Sequence, residues 1–174
     1  KLQLTDNLKN FIKDHIDFPI KGIVFKDLLP LLENPEVFSA VIEEMSANKM
    51  FKNADAIISI DARGFIFGTG ISLYLSKPMI VARKPGKLPG ELIEKYYDLE
   101  YGKNSLAIQK DSIKKFNSFA IVDDLLATGG TVRCVSEMLL DAKKEVTGLS
   151  VVIELGELKG RDKLDFPVDS KIIL

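Results

Sequence analysis

Phe119-Ala120-Ile121-Val122-Asp123-Asp124-Leu125-Leu126-Ala127-Thr128-Gly129-Gly130-Thr131 is the stretch on which the reading of this chain turns. An apolar, β-branched run ends in two adjacent carboxylates, and a loop of small residues with two glycines follows. From Thr131 onward Val132, Val135, Met138, Leu139 and Ala142 recur at helical spacing. A buried strand, a tight loop and a helix start are expected in that order, the arrangement at which open α/β sheets bind ligands. The glycines let backbone bend sharply and approach a ligand closely. The amides of Ala127, Thr128, Gly129, Gly130 and Thr131, at the positive end of a helix dipole, suit a phosphate group. Thr128 and Thr131 add hydroxyl donors. Asp123 and Asp124 would repel that phosphate; they suit sugar hydroxyls, or a cation accompanying a second phosphate. A phosphate loop beside a hydroxyl-reading acidic pair describes a site for a phosphorylated ribose.

Outward from this stretch, the rhythm of strands and helices repeats. Ala56 to Ile60, Pro78 to Ala82, Ser118 to Val122 and Val146 to Ile153 read as buried strands. Leu4, Leu8, Phe11 and Ile12 outline a short amphipathic helix, which Asp17-Phe18-Pro19 stops, and the segment on to Pro30 reads as irregular. Asn34 caps a second helix with Pro35 at its first position and Val37, Phe38, Val41, Ile42 and Met45 facing inward. Phe65 to Leu75 is a third. Strands alternating with helices imply one α/β domain with a central, mainly parallel sheet covered by helices on both faces. The loops after the strands then share one functional edge.

Two of those loops are basic. Asp61-Ala62-Arg63-Gly64-Phe65 follows the first strand, and Arg83-Lys84-Pro85-Gly86-Lys87 the second. Cations beside glycine at strand ends can clamp a pyrophosphate. Alone, the first is equally readable as a turn with a solvated arginine and the second reads rather as a solvated edge; three phosphate-compatible loops at three strand ends point to one shared polyanion site. Residues 84–104 break the rhythm with two prolines, several glycines and Tyr96, Tyr97 and Tyr101 among charges, and read as a long mobile loop with a hairpin in its second half. Loops of that length in compact domains tend to be lids.

Bulk properties set the bounds. At 174 residues, 46% hydrophobic and 28% charged, the chain is sized for one domain with a proper core. A net charge of −1 gives no basic field to favour nucleic acid. The single cysteine, Cys134, leaves no internal disulfide or cysteine metal cluster, and the lone His15 offers little metal chemistry. Lys1 to Phe18 is too polar for a signal peptide and no apolar run reaches membrane-spanning length, so a soluble, cytoplasmic protein is expected. A P-loop is excluded because no G-x-x-x-x-G-K-[ST] exists. Gly68-Thr69-Gly70 begins like a dinucleotide fingerprint but has Leu73 at the third glycine position.

The run from Phe119 to Thr131 resembles the signature of the type I phosphoribosyltransferases, enzymes that use phosphoribosyl pyrophosphate. Further segments resemble the adenine-specific branch of that family. They are Phe18-Pro19 with Gly22 to Asp27, Asp61 to Phe65, Gly86 to Gly90, Leu99-Glu100-Tyr101-Gly102-Lys103, Glu154-Leu155 and Leu158-Lys159-Gly160-Arg161. The resemblance spans about Phe18 to Lys163. It implies a small N-terminal hood over residues 1–34 that reads the base, and a catalytic loop over 84–104. By the same resemblance Asp123, Asp124 and the loop Ala127 to Thr131 hold ribose 5-phosphate, and Ala62, Arg63, Arg83, Lys84 and Lys87 hold pyrophosphate. Val24, Phe25, Lys26 and Leu155 line the adenine pocket, Phe25 and Leu155 sandwiching the ring, while Glu100 and Tyr101 close over the reaction centre.

The implied reaction converts adenine and phosphoribosyl pyrophosphate to AMP and pyrophosphate. Mg2+ is the implied cofactor, held mainly through the substrate rather than by protein ligands, and a homodimer is the family expectation. Neither nucleic acid nor membrane is an expected partner. Two positions depart from the pattern: Lys26 stands where many relatives carry arginine, and Ala62 where some carry serine. Two alternatives stay open at this point. One is a sibling enzyme for hypoxanthine, guanine or xanthine, which would share the sugar-phosphate site and differ in the base pocket. The other is a non-catalytic regulator that senses phosphoribosyl pyrophosphate.

Overall fold

The computed structural model describes residues 7–99 and 102–174. Its centre is a parallel sheet in the order β10-β9-β7-β3-β4, where β3 is Ala56–Ile60, β4 Met79–Ala82, β7 Ser118–Val122, β9 Glu145–Glu154 and β10 Val168–Ile173; the two-residue strand β8, Leu125–Leu126, also pairs with β9. Every side chain of β3 and β7 is buried, as strands covered on both faces require. Successive residues serve opposite faces. Ile57, Ala120, Val122 and Val152 join one apolar cluster with Val41, Met45, Phe67 and Ile71. Ile58, Ile121, Leu149 and Val151 join the other with Val132, Val135, Met138 and Leu139. The α/β expectation and its helices on both faces are thereby met.

Among the described residues three twelve-residue helices cover the sheet, with shorter ones beside them: α1 (Pro35–Ser46), α2 (Gly64–Leu75) and α3 (Gly130–Asp141). At the start of α1 the Asn34 side chain accepts a hydrogen bond from the Val37 amide at 3.2 Å, with Pro35 in the first turn, so the cap read from sequence operates. Helix α2 lies very close to β3: a Cβ on Gly68 would overlap Ser59 Oγ and come within 2.8 Å of its Cβ. Helix α3 carries its apolar stripe, Val132, Val135, Met138 and Leu139, against the sheet.

Two antiparallel hairpins adjoin this central sheet. Strands β5 (Leu92–Leu99) and β6 (Gly102–Gln109) pair in full register from Leu92 with Gln109 to Leu99 with Gly102. Thus the segment read as a loop over 84–104 divides into an irregular stretch and the arms of a hairpin that continues to Gln109. A bridge between Arg83 and Ala107 fastens this hairpin to the edge of the main sheet.

The second hairpin corrects the reading of the N-terminal region. The segment expected to be irregular up to Pro30 contains β1 (Lys13–Ile16) antiparallel to β2 (Val24–Asp27). Each strand has four residues and none of them is buried, so no alternation of apolar and polar residues announces it. The amphipathic helix expected from Leu4 lies partly outside the described residues. Its later part ends as a 3-10 turn over Lys9–Phe11, with Leu8 buried and Phe11 and Ile12 packed on the core. Strand β10 was not anticipated either; it is a half-buried edge strand of mixed polarity.

Candidate active site

The sheet order places β7, β3 and β4 side by side, and their pairing brings Val122 level with Ser59 and Ile60 level with Ala82. The three loops singled out in the sequence therefore leave adjacent strand ends. From β3 the chain continues outward to β4 on one side, while β7, β9 and β10 follow on the other. The crevice between β3 and β7 is a switch point, where open α/β sheets bind ligands.

A cavity of about 430 Å³ occupies this crevice. Asp61, Ala62, Arg63, Lys84, Asp123, Asp124 and the run from Ala127 to Thr131 all line it. Tyr97 and Asn104, cross-strand partners on β5 and β6, form a further wall with Leu106. Sequence reading did not assign these three, because their approach to the site depends on where the hairpin docks.

The acidic pair is anchored through its backbone. The Asp123 amide donates to Ser150 O at 3.1 Å, and Asp124 O accepts from Val152 and Ile153. The two side chains differ. Asp124 is buried, with Oδ2 2.6 Å from Arg63 Nε. Asp123 faces the cavity, and its Oδ1 accepts the Asp124 amide at 2.8 Å. Burial, reinforced by the neighbouring Asp124 carboxylate, pushes the Asp123 carboxyl well above the usual carboxylate range.

The loop after the pair ends at Gly129, whose φ of 87° lies in the left-handed region favoured by glycine. Helix α3 starts at the next residue, so its first amides, lacking intrahelical partners, face the loop. Behind the loop stands an unexpected neighbour. Gly160 is buried against it: a Cβ on Gly129 would lie 2.9 Å from Gly160 O, and one on Gly160 would overlap Ala127 O. The Leu158 to Arg161 motif entered the sequence reading without a role; this contact supplies one.

The basic loops divide. Ala62, Arg63 and Lys84 line the cavity, and the Asp61–Ala62 peptide is cis. Arg83 does not line it. Its Nε pairs with Asp61 Oδ2 at 3.1 Å and its guanidinium lies 5.6 Å over the Phe65 ring. Asp61 Oδ2 also accepts the Lys84 amide, a loop-fixing role that sequence reading did not give it. Lys87 is exposed and outside the cavity lining.

Val24, Phe25 and Lys26, expected to read the base, sit on β2, beside rather than inside this cavity. Arg63 joins the two regions: Nη1 donates to Lys26 O at 3.1 Å, and the guanidinium lies 4.8 Å from the Phe25 ring centroid. The Lys26 ammonium pairs with Asp14 across the hairpin at 2.8 Å, so its side chain points away from Arg63 while its backbone carbonyl faces it. Phe18, Phe25, His15, Asp27 and Leu29 line a second, apolar cavity of about 340 Å³. Val24 is exposed. Leu155 follows β9, half-buried, with its amide donating to Leu126 O at 2.9 Å. Glu100 and Tyr101 lie outside the described residues.

Comparison with known proteins gives a consistent picture. The family model described as phosphoribosyl transferase domain matches residues 30–172. The chain is 64% identical over 170 residues to an adenine phosphoribosyltransferase of Prochlorococcus marinus (strain MIT 9211), covering 98% of this chain and 99% of that one. Among solved structures it superposes on an adenine phosphoribosyltransferase of Thermoanaerobacter pseudethanolicus with a TM-score of 0.91 and 37% identity, covering 98% of this chain and 99% of the other. The Saccharomyces cerevisiae adenine phosphoribosyltransferase, crystallised with an imino-altritol bisphosphate and adenine, gives a TM-score of 0.90 and 33% identity, with 99% and 100% covered.

Proposed function

The chain belongs to the phosphoribosyl transferase family, and we propose that it joins adenine to the phosphoribosyl group of phosphoribosyl pyrophosphate, releasing pyrophosphate and forming AMP. One observation carries this reading: the acidic pair, the Ala127 to Thr131 loop, Arg63 and Lys84 share one 430 Å³ cavity at the switch point of the sheet. Its close likeness to adenine-specific enzymes along the whole chain supports the choice of base.

In this reaction the bond from the anomeric carbon to pyrophosphate breaks while a purine ring nitrogen attacks, through a transition state with oxocarbenium character. The loop amides grip the 5-phosphate and Asp123 and Asp124 engage the ribose hydroxyls, so nucleophile and electrophile meet aligned. Arg63 and Lys84 stabilise the charge that builds on the departing pyrophosphate. The adenine proton released as the bond forms goes to Glu100, a transfer typically worth about 10²–10⁴-fold in rate.

Mg2+ belongs to the same proposal. The cavity offers the Asp61 and Asp123 carboxylates, oxygen donors of the kind this ion takes. In this proposal the ion is carried mainly by the substrate phosphates rather than by a cluster of protein ligands. Its contribution is to neutralise the leaving group.

We further propose a homodimer in the cytoplasm. Leu73 and Tyr74 on α2 and Ile16, Phe18 and Ile20 on the hood are exposed apolar side chains suited to an interface. A single free thiol accords with a reducing compartment, and among the described residues no helix is long and apolar enough to cross a membrane.

The test of function is an assay with phosphoribosyl pyrophosphate, Mg2+ and each purine base in turn, identifying the nucleotide formed. AMP from adenine is expected by a wide margin. Comparable turnover of hypoxanthine or guanine would overturn the base assignment, and binding of phosphoribosyl pyrophosphate without turnover would favour a sensor.

A further inference from the structure

The contact between Gly129 and Gly160 joins segments far apart in the chain, and it is backbone against backbone. An ion pair ties the second segment to the central sheet. Glu154, at the end of β9 and nearly fully buried, receives Arg161 through two parallel bonds: Nη2 to Oε1 at 2.6 Å and Nε to Oε2 at 3.1 Å. The third nitrogen, Nη1, donates to Val168 O at 2.9 Å at the start of β10, and Ser170 Oγ donates to Glu154 Oε1 at 2.9 Å. Arg161 thus ties the turn that carries Gly160 to two strands of the central sheet. Glu154 itself pairs with Leu126, two residues before the loop's Thr128.

We propose that Arg161 is a positioning residue for sugar-phosphate binding: its fork on Glu154 presses the Gly160 backbone against Ala127–Gly129 and so sets the curvature of the phosphate loop. A loop with two consecutive glycines has backbone freedom on both sides of Gly129. Amides that are to meet a phosphate must already point at it, since ordering them on binding would cost affinity. The tight fit at Gly160, where a single added methyl would overlap Ala127 O, limits that freedom from behind without touching the ligand. A two-point fork suits the task better than a point charge, because it fixes direction as well as distance.

This inference rests on the reading of Ala127 to Thr131 as the phosphate loop, and its test separates the two. Binding of ribose 5-phosphate and of pyrophosphate is measured separately, by equilibrium titration of the full chain. Only the first ligand uses the loop. Gly160→Ala and Arg161→Met are expected to weaken ribose 5-phosphate about 10- to 100-fold, the scale on which displacement by about 1 Å registers, while pyrophosphate affinity is unchanged. Arg161→Lys, which keeps the charge and loses the fork, falls between wild type and Arg161→Met. In turnover the same variants raise KM for phosphoribosyl pyrophosphate and leave KM for adenine alone. Val41→Ala, a core substitution in α1, serves as a control for general loss of stability and should leave both affinities intact.

Equal weakening of both ligands in the Arg161 variants, or full ribose 5-phosphate affinity in Gly160→Ala, would overturn the positioning role. Should Arg161→Met fail to fold, Gly160→Ala and Arg161→Lys carry the comparison. Failure of the wild-type chain to bind ribose 5-phosphate would instead overturn the loop assignment, and the positioning role with it.

Discussion

Arg63 lies with its guanidinium 4.8 Å from the centre of the Phe25 ring, covering the face on which an adenine would stack. The same guanidinium holds Asp124 at 2.6 Å and the Lys26 carbonyl at 3.1 Å. One residue thus contacts β2 and the acidic pair while lining the cavity at the strand ends.

That arrangement gives Arg63→Ala a split phenotype. An incoming base must displace the cation from Phe25, an interaction worth about 0.5–2 kcal/mol. Adenine alone should therefore bind the variant more tightly than wild type, by about two- to thirtyfold. Pyrophosphate should bind it more weakly, having lost a charged partner. Calorimetric titration with each ligand separately checks both signs, and weaker adenine binding would mean that the guanidinium does not compete with the base.

Glu100→Gln concerns the chemical step. The residue lies outside the described residues, between Leu99 and Gly102, which pair with each other. If Glu100 accepts a proton only as the new bond forms, the amide keeps the size and some hydrogen bonding but loses the acceptor, so turnover falls while both substrates still bind. The check is single-turnover AMP formation beside equilibrium binding. Equal rates for wild type and variant would remove the proton-handling role.

Gly129→Val puts bulk where the loop backbone is to approach the 5-phosphate closely, so phosphate binding should suffer. The structure enlarges the folding cost. A left-handed residue with a Cβ costs about 1–2 kcal/mol, and here that Cβ would also meet Gly160 O at 2.9 Å. Both ribose 5-phosphate affinity and melting temperature should drop, and a thermal melt alongside the titration measures the two.

These cases show what was legible before the structure. The strands from Ala56 and from Ser118, the Asn34 cap and the helix after Thr131 were readable because each is a run with one strong period and a clear end. The three anion loops followed, since glycine at a strand end, beside a cation in two of the three, is a local pattern. The hood hairpin was not readable: β1 and β2 are four residues each and bury little, so tertiary docking rather than periodicity defines them. Nor could the sequence separate Arg63, which lines the cavity, from Arg83, which Asp61 turns aside. Gly160 lay hidden for a deeper reason. Contact between two glycine backbones leaves no side-chain signal, and only the quoted Leu158 to Arg161 motif marked the place.

A stability test bears on how closely α2 sits on the sheet. Gly68→Ala places a methyl against Ser59 and should destabilise by about 1–3 kcal/mol, as overpacking does. Ser59 Oγ is buried without a hydrogen-bond partner, so Ser59→Ala alone should be near neutral. The double variant should recover part of the loss, because the hydroxyl overlap disappears while Ser59 Cβ, at 2.8 Å, remains. Urea denaturation of the three proteins measures this coupling.

The last expectation sets stability against function at Asp123. Burial first, and then the Asp124 carboxylate, raise its folded pKa well above the ordinary 3.8. Between those two values the folded chain holds a proton that the unfolded chain has released. Stability is then fully present below the unfolded pKa and is lost as pH rises through the folded one. Asp123→Asn removes that penalty. The amide oxygen can still accept the Asp124 amide, as Oδ1 does now at 2.8 Å, and no charge need be buried. The variant should therefore melt higher than wild type at neutral pH, with the gap closing as pH falls toward 4. Activity should move the other way, since the asparagine is a weaker acceptor for ribose hydroxyls and leaves the pair with one charge. Melting temperatures across that pH range, beside KM for phosphoribosyl pyrophosphate, test both halves. A variant that is less stable than wild type at neutral pH would show that the Asp123 carboxylate is held favourably in the fold, and that the cavity is better solvated than its walls imply.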